Sequence, residues 1–74
     1  MTKTEEKVIS TIEAKRIDAG MTIRGLAKKS NLPENALYNS LKRKRKLTAG
    51  ELLAVSSVLQ ISFEDYGITH EKGA

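Results

Sequence analysis

The 74-residue sequence contains no cysteine, and it has only one proline and one histidine. The absence of cysteine excludes disulfide bonds and thiolate zinc sites, and it fits a protein of the reducing cytoplasm. Long apolar runs are also missing, since the longest, Leu52-Leu53-Ala54-Val55, is far too short to span a membrane. The N-terminus is polar and acidic, unlike a targeting signal, so we expect a cytoplasmic protein with no membrane partner.

Residues that could catalyse a reaction or hold a metal ion are scarce. The single histidine, His70, has no nucleophile or metal ligand close to it in the sequence. Glu64 and Asp65 are adjacent, so their carboxylates cannot share one face of a helix. We therefore expect no enzyme activity, no cofactor and no metal site.

Positive charge is concentrated in the middle of the chain. From Thr22 to Leu47, eight lysine and arginine residues oppose one acidic residue, Glu34, which gives a net charge of +7. The rest of the chain has five basic and eight acidic residues, which gives a net charge of −3. This distribution is expected of a surface that faces the phosphates of a nucleic acid. A solvated, lysine-rich face is the alternative interpretation of the same residues.

Signals that begin and end helices recur along the chain, whereas strand signals are nearly absent, so we predict an all-α fold. Helices are predicted over about 5–19, 23–29, 33–43 and 49–60, with a short fifth helix over 63–66. Thr2 with Glu5, and Thr48 with Glu51, have the spacing of capping boxes. Residues 1–66 are predicted to form one domain, and residues 67–74 a flexible C-terminal tail.

The second and third predicted helices have the pattern of a helix-turn-helix. Ala27 is small enough to let the two backbones approach where they cross, and Asn31 tolerates the positive φ that the turn requires. Leu32 and Leu37 are expected to hold the second of these helices against the core. Its opposite face is then free to enter a major groove. An ordinary helical hairpin without a role in DNA binding is the alternative.

Polar side chains on that free face suit contacts with DNA. Asn35 could pair with N6 and N7 of adenine, or it could cap the helix instead. Tyr38 could contact a thymine methyl group or a phosphate, or it could be a half-buried support. Glu34 could accept from N4 of cytosine, or only favour the positive end of the helix dipole. The basic run 42–46 and Arg24 could bind phosphates, with a solvated loop as the alternative for the run.

Several segments of the chain, taken in order, resemble the Cro/CI-type regulators of temperate phages. They are Leu26-Ala27-Lys28-Lys29, Leu37, 42–46, Leu52-Leu53 and Ile61-Ser62-Phe63-Glu64-Asp65. The resemblance covers about residues 16–66. It implies a compact five-helix domain that binds double-stranded operator DNA and regulates transcription in a phage-type genetic switch, usually as a homodimer. Such a protein works in the cytoplasm of the bacterial host, at the nucleoid. The resemblance places base-reading residues at Glu34, Asn35, Tyr38 and Asn39, and phosphate contacts at Lys42, Arg43 and Lys44.

Ile23 stands where the family often has a polar residue that touches a phosphate. Isoleucine cannot bond a phosphate, and an exposed apolar side chain at this position would suit a protein partner. The second hypothesis is therefore an antirepressor or modulator that binds a phage repressor protein, alone or jointly on DNA. Whether Ile23 faces DNA, a partner or the core is left open by the sequence.

Overall fold

The structure, a computed structural model, describes residues 2–67, which form four α-helices and one 3₁₀ helix. The helices are α1 (Lys3–Asp18), α2 (Ile23–Ser30), α3 (Glu34–Leu41), α4 (Ala49–Leu59) and a 3₁₀ helix (Glu64–Tyr66). No strand occurs within residues 2–67, and the predicted all-α class is confirmed for that range. The predicted tail, apart from Gly67, lies outside the described residues, and so does His70.

Side-chain caps determine where the helices begin. Both predicted capping boxes are confirmed: Thr2 and Glu5 exchange their two hydrogen bonds at the start of α1, and Thr48 and Glu51 do so at α4. Thr22 caps α2 by accepting a hydrogen bond of 2.9 Å from the backbone N–H of Gly25. Each cap gives a partner to a backbone N–H that the first turn of a helix leaves unpaired.

The expected fifth α-helix is corrected to a single 3₁₀ turn. Ser62 and Asp65 exchange hydrogen bonds as a cap would, with 2.9 Å from Ser62 N to Asp65 Oδ2. The chain then enters the left-handed region at Gly67, where φ is +71°. Four residues lie between Ser62 and Gly67, and the three of them that are helical, Glu64–Tyr66, are too few to propagate the i to i+4 bonds of an α-helix.

Left-handed residues end α2 and follow α3. Asn31 has φ +58°, which confirms the predicted turn residue between the two helices. After α3, Lys42 leaves the helical region, and Arg43 has φ +64°. For this reason α3 ends at Leu41, two residues earlier than the predicted end at Arg43.

The core draws on every helix and determines which face of α3 points outward. Helix α2 packs against both α3 and α4, and α1 packs against α3, α4 and the 3₁₀ helix. Ala27 is only 2% exposed, as expected for a small residue at a helix crossing. The side chains that form the core are Ile9, Ile12, Leu26, Ala27, Leu37, Leu41, Val55, Ile61 and Tyr66.

The carboxylates of Glu5, Glu51 and Asp65 each accept a hydrogen bond from a backbone N–H three residues earlier, which favours their charged form. The pKa of Glu51 is lowered, first by its hydrogen bond from the backbone N–H of Thr48 and also by the Arg45 guanidinium. Backbone N–H groups likewise lower the pKa of Glu5 and of Asp65. Because the folded state favours the deprotonated form, this stabilisation is complete above the ordinary carboxylate pKa. It is lost as the pH falls through the lowered value.

The variant Glu51→Gln should therefore show a weaker fall in the free energy of unfolding as the pH is lowered. Glutamine keeps the reciprocal bond of a capping box but does not titrate, so the variant should lose less stability than the wild type below about pH 4.3. Urea unfolding at a series of pH values measures this difference. Glu64→Gln serves as the control, because Glu64 is exposed and its side chain makes no hydrogen bond within residues 2–67. An equal fall for wild type and Glu51→Gln would contradict the prediction.

Candidate nucleic-acid interface

Helices α2 and α3 form the predicted helix-turn-helix. The backbone N–H of Leu32 donates to Ala27 O at 2.9 Å, which folds the turn back onto the end of α2. Pro33 then stands at the N-cap position of α3, and its carbonyl accepts from Leu37 N at 3.1 Å. The turn therefore positions α3 so that one of its faces packs on the core and the other faces solvent.

The four predicted base-reading residues lie together on the exposed face of α3. Glu34 and Asn35 are exposed, Tyr38 is 44% exposed and Asn39 is half-buried. Their spacing places them on adjacent rows of one helix face. The opposite face is formed by three buried residues, Leu37, Ser40 and Leu41.

Asn35 does not cap α3, which was the alternative reading of this residue. The N-cap residue of α3 is Pro33, and no side chain forms a cap hydrogen bond there. The Asn35 amide makes no hydrogen bond to any side chain or backbone group within residues 2–67. Both its donor and its acceptor are consequently available to a ligand.

Cationic side chains flank this face at both ends. Near the start of α3, the Arg24 guanidinium lies 3.9 Å from the Glu34 carboxylate, and both side chains are exposed. At its end, Lys42 Nζ lies 5.5 Å from the centroid of the Tyr38 ring. Lys44 is exposed and makes no ion pair within the described part of the chain. The face is polar in the middle and positive at its two ends.

The basic run 42–46 is neither a uniform phosphate-binding strip nor a uniformly solvated loop. Arg43 donates to Glu6 at 2.5 Å and to Ser10 at 3.2 Å, so its guanidinium is held by α1. Lys46 Nζ lies 3.7 Å from a Glu5 carboxylate oxygen. Arg43 was predicted to bind phosphate, and in the structure its Nε is already paired with the Glu6 carboxylate.

Arg45 was not singled out by the sequence reasoning. Its guanidinium bonds the backbone of α3, the Ser40 hydroxyl and the Glu51 carboxylate. In the sequence it is the fourth of five consecutive cations, and nothing local distinguishes it from its neighbours. The one available signal is the capping-box glutamate six residues later, since a carboxylate fixed by a cap is a ready partner for an arginine.

Ile23, whose direction the sequence left open, packs in part against the core. Its side chain is partly buried and lies against the core cluster in the first turn of α2. The rest of the side chain remains accessible to solvent.

Within residues 2–67, no group of three metal-ligating side chains converges on one point. No helix in that range is both long enough and apolar enough to cross a bilayer.

Comparison with known protein families agrees with this geometry. Residues 11–66, which are 56 of the 74 residues, match the Cro/C1-type HTH DNA-binding domain family. No match was found among curated proteins or among solved structures. The matched range includes α2, the turn, α3 and all of α4, so the recognised region is the one that carries the helix-turn-helix. The chain therefore belongs to the family of Cro/C1-type helix-turn-helix DNA-binding domains.

Proposed function

We propose that this protein is a sequence-specific transcription regulator that places α3 in the major groove of operator DNA. The observation that carries the proposal is the divided surface of α3, whose buried face holds the helix while its other face exposes polar side chains. Membership of a DNA-binding family supports double-stranded DNA as the ligand. An α-helix fits the major groove, where the four base pairs present distinct patterns of donors and acceptors.

The exposed face of α3, with Glu34, Asn35, Tyr38 and Asn39, is called the reading face here. Each of its residues has a chemical role in this proposal. The free amide of Asn35 donates to N7 and accepts from N6 of adenine, which is a bidentate contact. Tyr38 packs its exposed ring against a thymine methyl group, and Asn39 contacts the adjacent base. Glu34 accepts from N4 of cytosine, and Arg24 beside it offsets the repulsion between this carboxylate and the phosphates.

Phosphate contacts are assigned to the cations at the two ends of the reading face. Arg24 serves the strand near the start of α3, and Lys42, Arg43 and Lys44 serve the strand near its end. Lys42 and Lys44 are exposed and make no ion pair within residues 2–67, so each can bind a phosphate without breaking an existing pair. Arg43 is the weakest of the four candidates because Glu6 already holds its guanidinium.

The regulator is assigned to the genetic switch of a temperate phage, acting at the nucleoid in the cytoplasm of the bacterial host. Resemblance to the Cro/CI-type phage regulators supports this assignment. The alternative, an antirepressor that binds a phage repressor protein, takes Ile23 as an apolar contact and the +7 centre as the surface that meets an acidic partner. Ile23 is partly buried against the core, which leaves less of its apolar surface for such a contact.

We also propose that two copies bind together as a homodimer through the apolar surface between α1 and α4. Leu53 is 71% exposed and Phe63 is 51% exposed, which is unusual for large apolar side chains. Both line a cavity of about 170 Å³ whose wall also includes Val8 and Leu52. A protruding leucine beside an apolar cavity is self-complementary, as a two-fold symmetric contact requires.

Replacing Asn35→Ala tests the proposed base reading. The variant should lose about 1–3 kcal/mol of preference for the cognate site, while its affinity for unrelated DNA should barely change. Fluorescence anisotropy measures both affinities, with a duplex selected by the wild type from a random-sequence pool and a scrambled duplex. Ser57→Ala, an exposed polar change on α4, is the control and should retain the preference. An unchanged preference in Asn35→Ala would refute the role assigned to Asn35.

Replacing Lys44→Ala tests the proposed phosphate contact. Loss of one contact should flatten the slope of log K against log salt by about 0.9, for the cognate and the scrambled duplex alike. Lys15→Ala is the matched control, because Lys15 is an exposed lysine on α1, outside the basic run. If the slope of Lys44→Ala equals that of the wild type, this lysine does not touch DNA.

Replacing Leu53→Lys tests the proposed dimer. Sedimentation equilibrium should show a concentration-dependent dimer for the wild type and a monomer for the variant, because a charge cannot be buried unpaired in an apolar contact. Ile17→Lys is the matched control, since Ile17 is 64% exposed and lies outside the lining of this cavity. A wild type that stays monomeric, or a dimer that tolerates Leu53→Lys, would contradict the proposal.

A further inference from the structure

We propose that Arg45 is a positioning residue, which sets the orientation of α3 for base reading without touching DNA itself. The inference rests on the proposed function, because it takes α3 as the helix that reads DNA. It separates one member of the basic run from the cations that serve as phosphate contacts.

The Arg45 guanidinium joins two helices. Its Nη1 donates to Ala36 O at 3.2 Å and to Ser40 Oγ at 2.7 Å, both of which belong to α3. The same nitrogen lies 3.2 Å from Glu51 Oε1, and Nη2 lies 3.3 Å from Glu51 Oε2. The carboxylate pairing is bidentate, which fixes the plane of the guanidinium as well as its distance.

Two hydrogen bonds hold α3 to Arg45 at one point on the helix. Ala36 and Ser40 are four residues apart, so they lie one above the other on the same side of α3. Ser40 is fully buried, and its hydroxyl has Arg45 as its partner. In an α-helix the carbonyl of Ala36 points along the axis toward residue 40, so Ala36 O and Ser40 Oγ lie side by side and one nitrogen, Nη1, bonds both. Arg45 therefore fixes the position of α3 at this point.

The other end of the bridge is itself fixed. Glu51 accepts a hydrogen bond of 2.9 Å from Thr48 N, and its own N–H donates to Thr48 Oγ1 at 3.1 Å. The carboxylate that holds Arg45 is therefore anchored to the first turn of α4. Among the described helices, α3 packs against α1 and α2 but has no extended contact with α4. The Arg45 bridge supplies the link that packing does not.

The same contacts make Arg45 a poorer candidate for phosphate binding than the residue before it. Both terminal nitrogens of its guanidinium already have protein acceptors, and the side chain is 34% exposed. Lys44, the residue before it, is exposed and has no such partner within residues 2–67. A phosphate that bonded both Nη1 and Nη2 of Arg45 would have to displace Glu51, which would break the bidentate pair.

The test compares Arg45→Lys with Arg45→Gln, using Lys44→Gln as the charge-matched control. Lysine keeps the positive charge, but its single ammonium cannot reproduce the planar bidentate geometry. Affinities are measured over a range of salt concentrations for the duplex selected by the wild type and for a scrambled duplex. Circular dichroism melts identify a temperature at which each variant is folded, and Arg45→Lys carries the test if Arg45→Gln does not fold.

The proposal expects both Arg45 variants to lose about tenfold in preference for the selected duplex, with scrambled-duplex affinity and salt slope unchanged for Arg45→Lys. Two results would overturn it. If Arg45→Gln flattens the salt slope by about 0.9 and Arg45→Lys restores the wild-type preference, Arg45 is a phosphate contact. If both variants melt at lower temperature but keep the wild-type preference, its role is confined to stability.

A measurement without DNA separates this inference from the proposed function. In ¹⁵N NMR spectra of the free protein, Arg45→Lys should shift the amides of residues 34–41 and speed their hydrogen exchange more than those of α2. Lys44→Gln should leave the chemical shifts and the exchange rates of the α3 amides unchanged. Unchanged α3 amides would refute the positioning role, whatever the outcome with DNA. A wild type that selects no duplex would refute the proposed function, while shifted α3 amides would still support the bridge.

Discussion

Helix α3 exists because its apolar face is buried. Its eight residues are too few for a helix to be stable alone in water, where about 12–15 residues are already marginal. Burial of Leu37 and Leu41 against the other helices supplies the missing stability, at about 1.5–3 kcal/mol for each fully buried side chain. The same burial leaves the polar side chains no position except the surface. The shape of the candidate interface is thus a consequence of core packing.

Charge in the middle of the chain is divided between holding the fold and facing outward. Acidic residues of α1 and α4 pair with Arg43, Arg45 and Lys46, so these three cations tie the loop after α3 to the rest of the domain. Lys42 and Lys44 alternate with them and remain exposed. The net charge of +7 over residues 22–47 therefore overstates the charge that is available to a ligand.

Much of the fold could be predicted because its signals are local. Capping boxes at Thr2 and Thr48, the left-handed turn at Asn31 and the small residue Ala27 each follow from the residue itself and its near neighbours. The resemblance to Cro/CI-type regulators led to the family that residues 11–66 match. The predicted fifth α-helix failed because a glycine closes the turn too soon for its pattern to extend.

Contacts between distant residues could not be predicted. Arg43 meets Glu6 across 37 positions of sequence, and five consecutive cations give no local sign of which one turns inward. The exposure of residues 34, 35 and 38 did follow from helical periodicity once Leu37 was placed in the core. For Ile23, periodicity at the start of a short helix could not distinguish the core from a partner.

One contact of Arg45 reaches the backbone carbonyl of Ala36 and not a side chain. A bridge of this kind is indifferent to which amino acids occupy the outer face of the helix. The side chains at 34, 35, 38 and 39 take no part in it. If α3 reads DNA as proposed, substitutions at these four positions change the sequence that is bound and leave the Arg45 bridge intact.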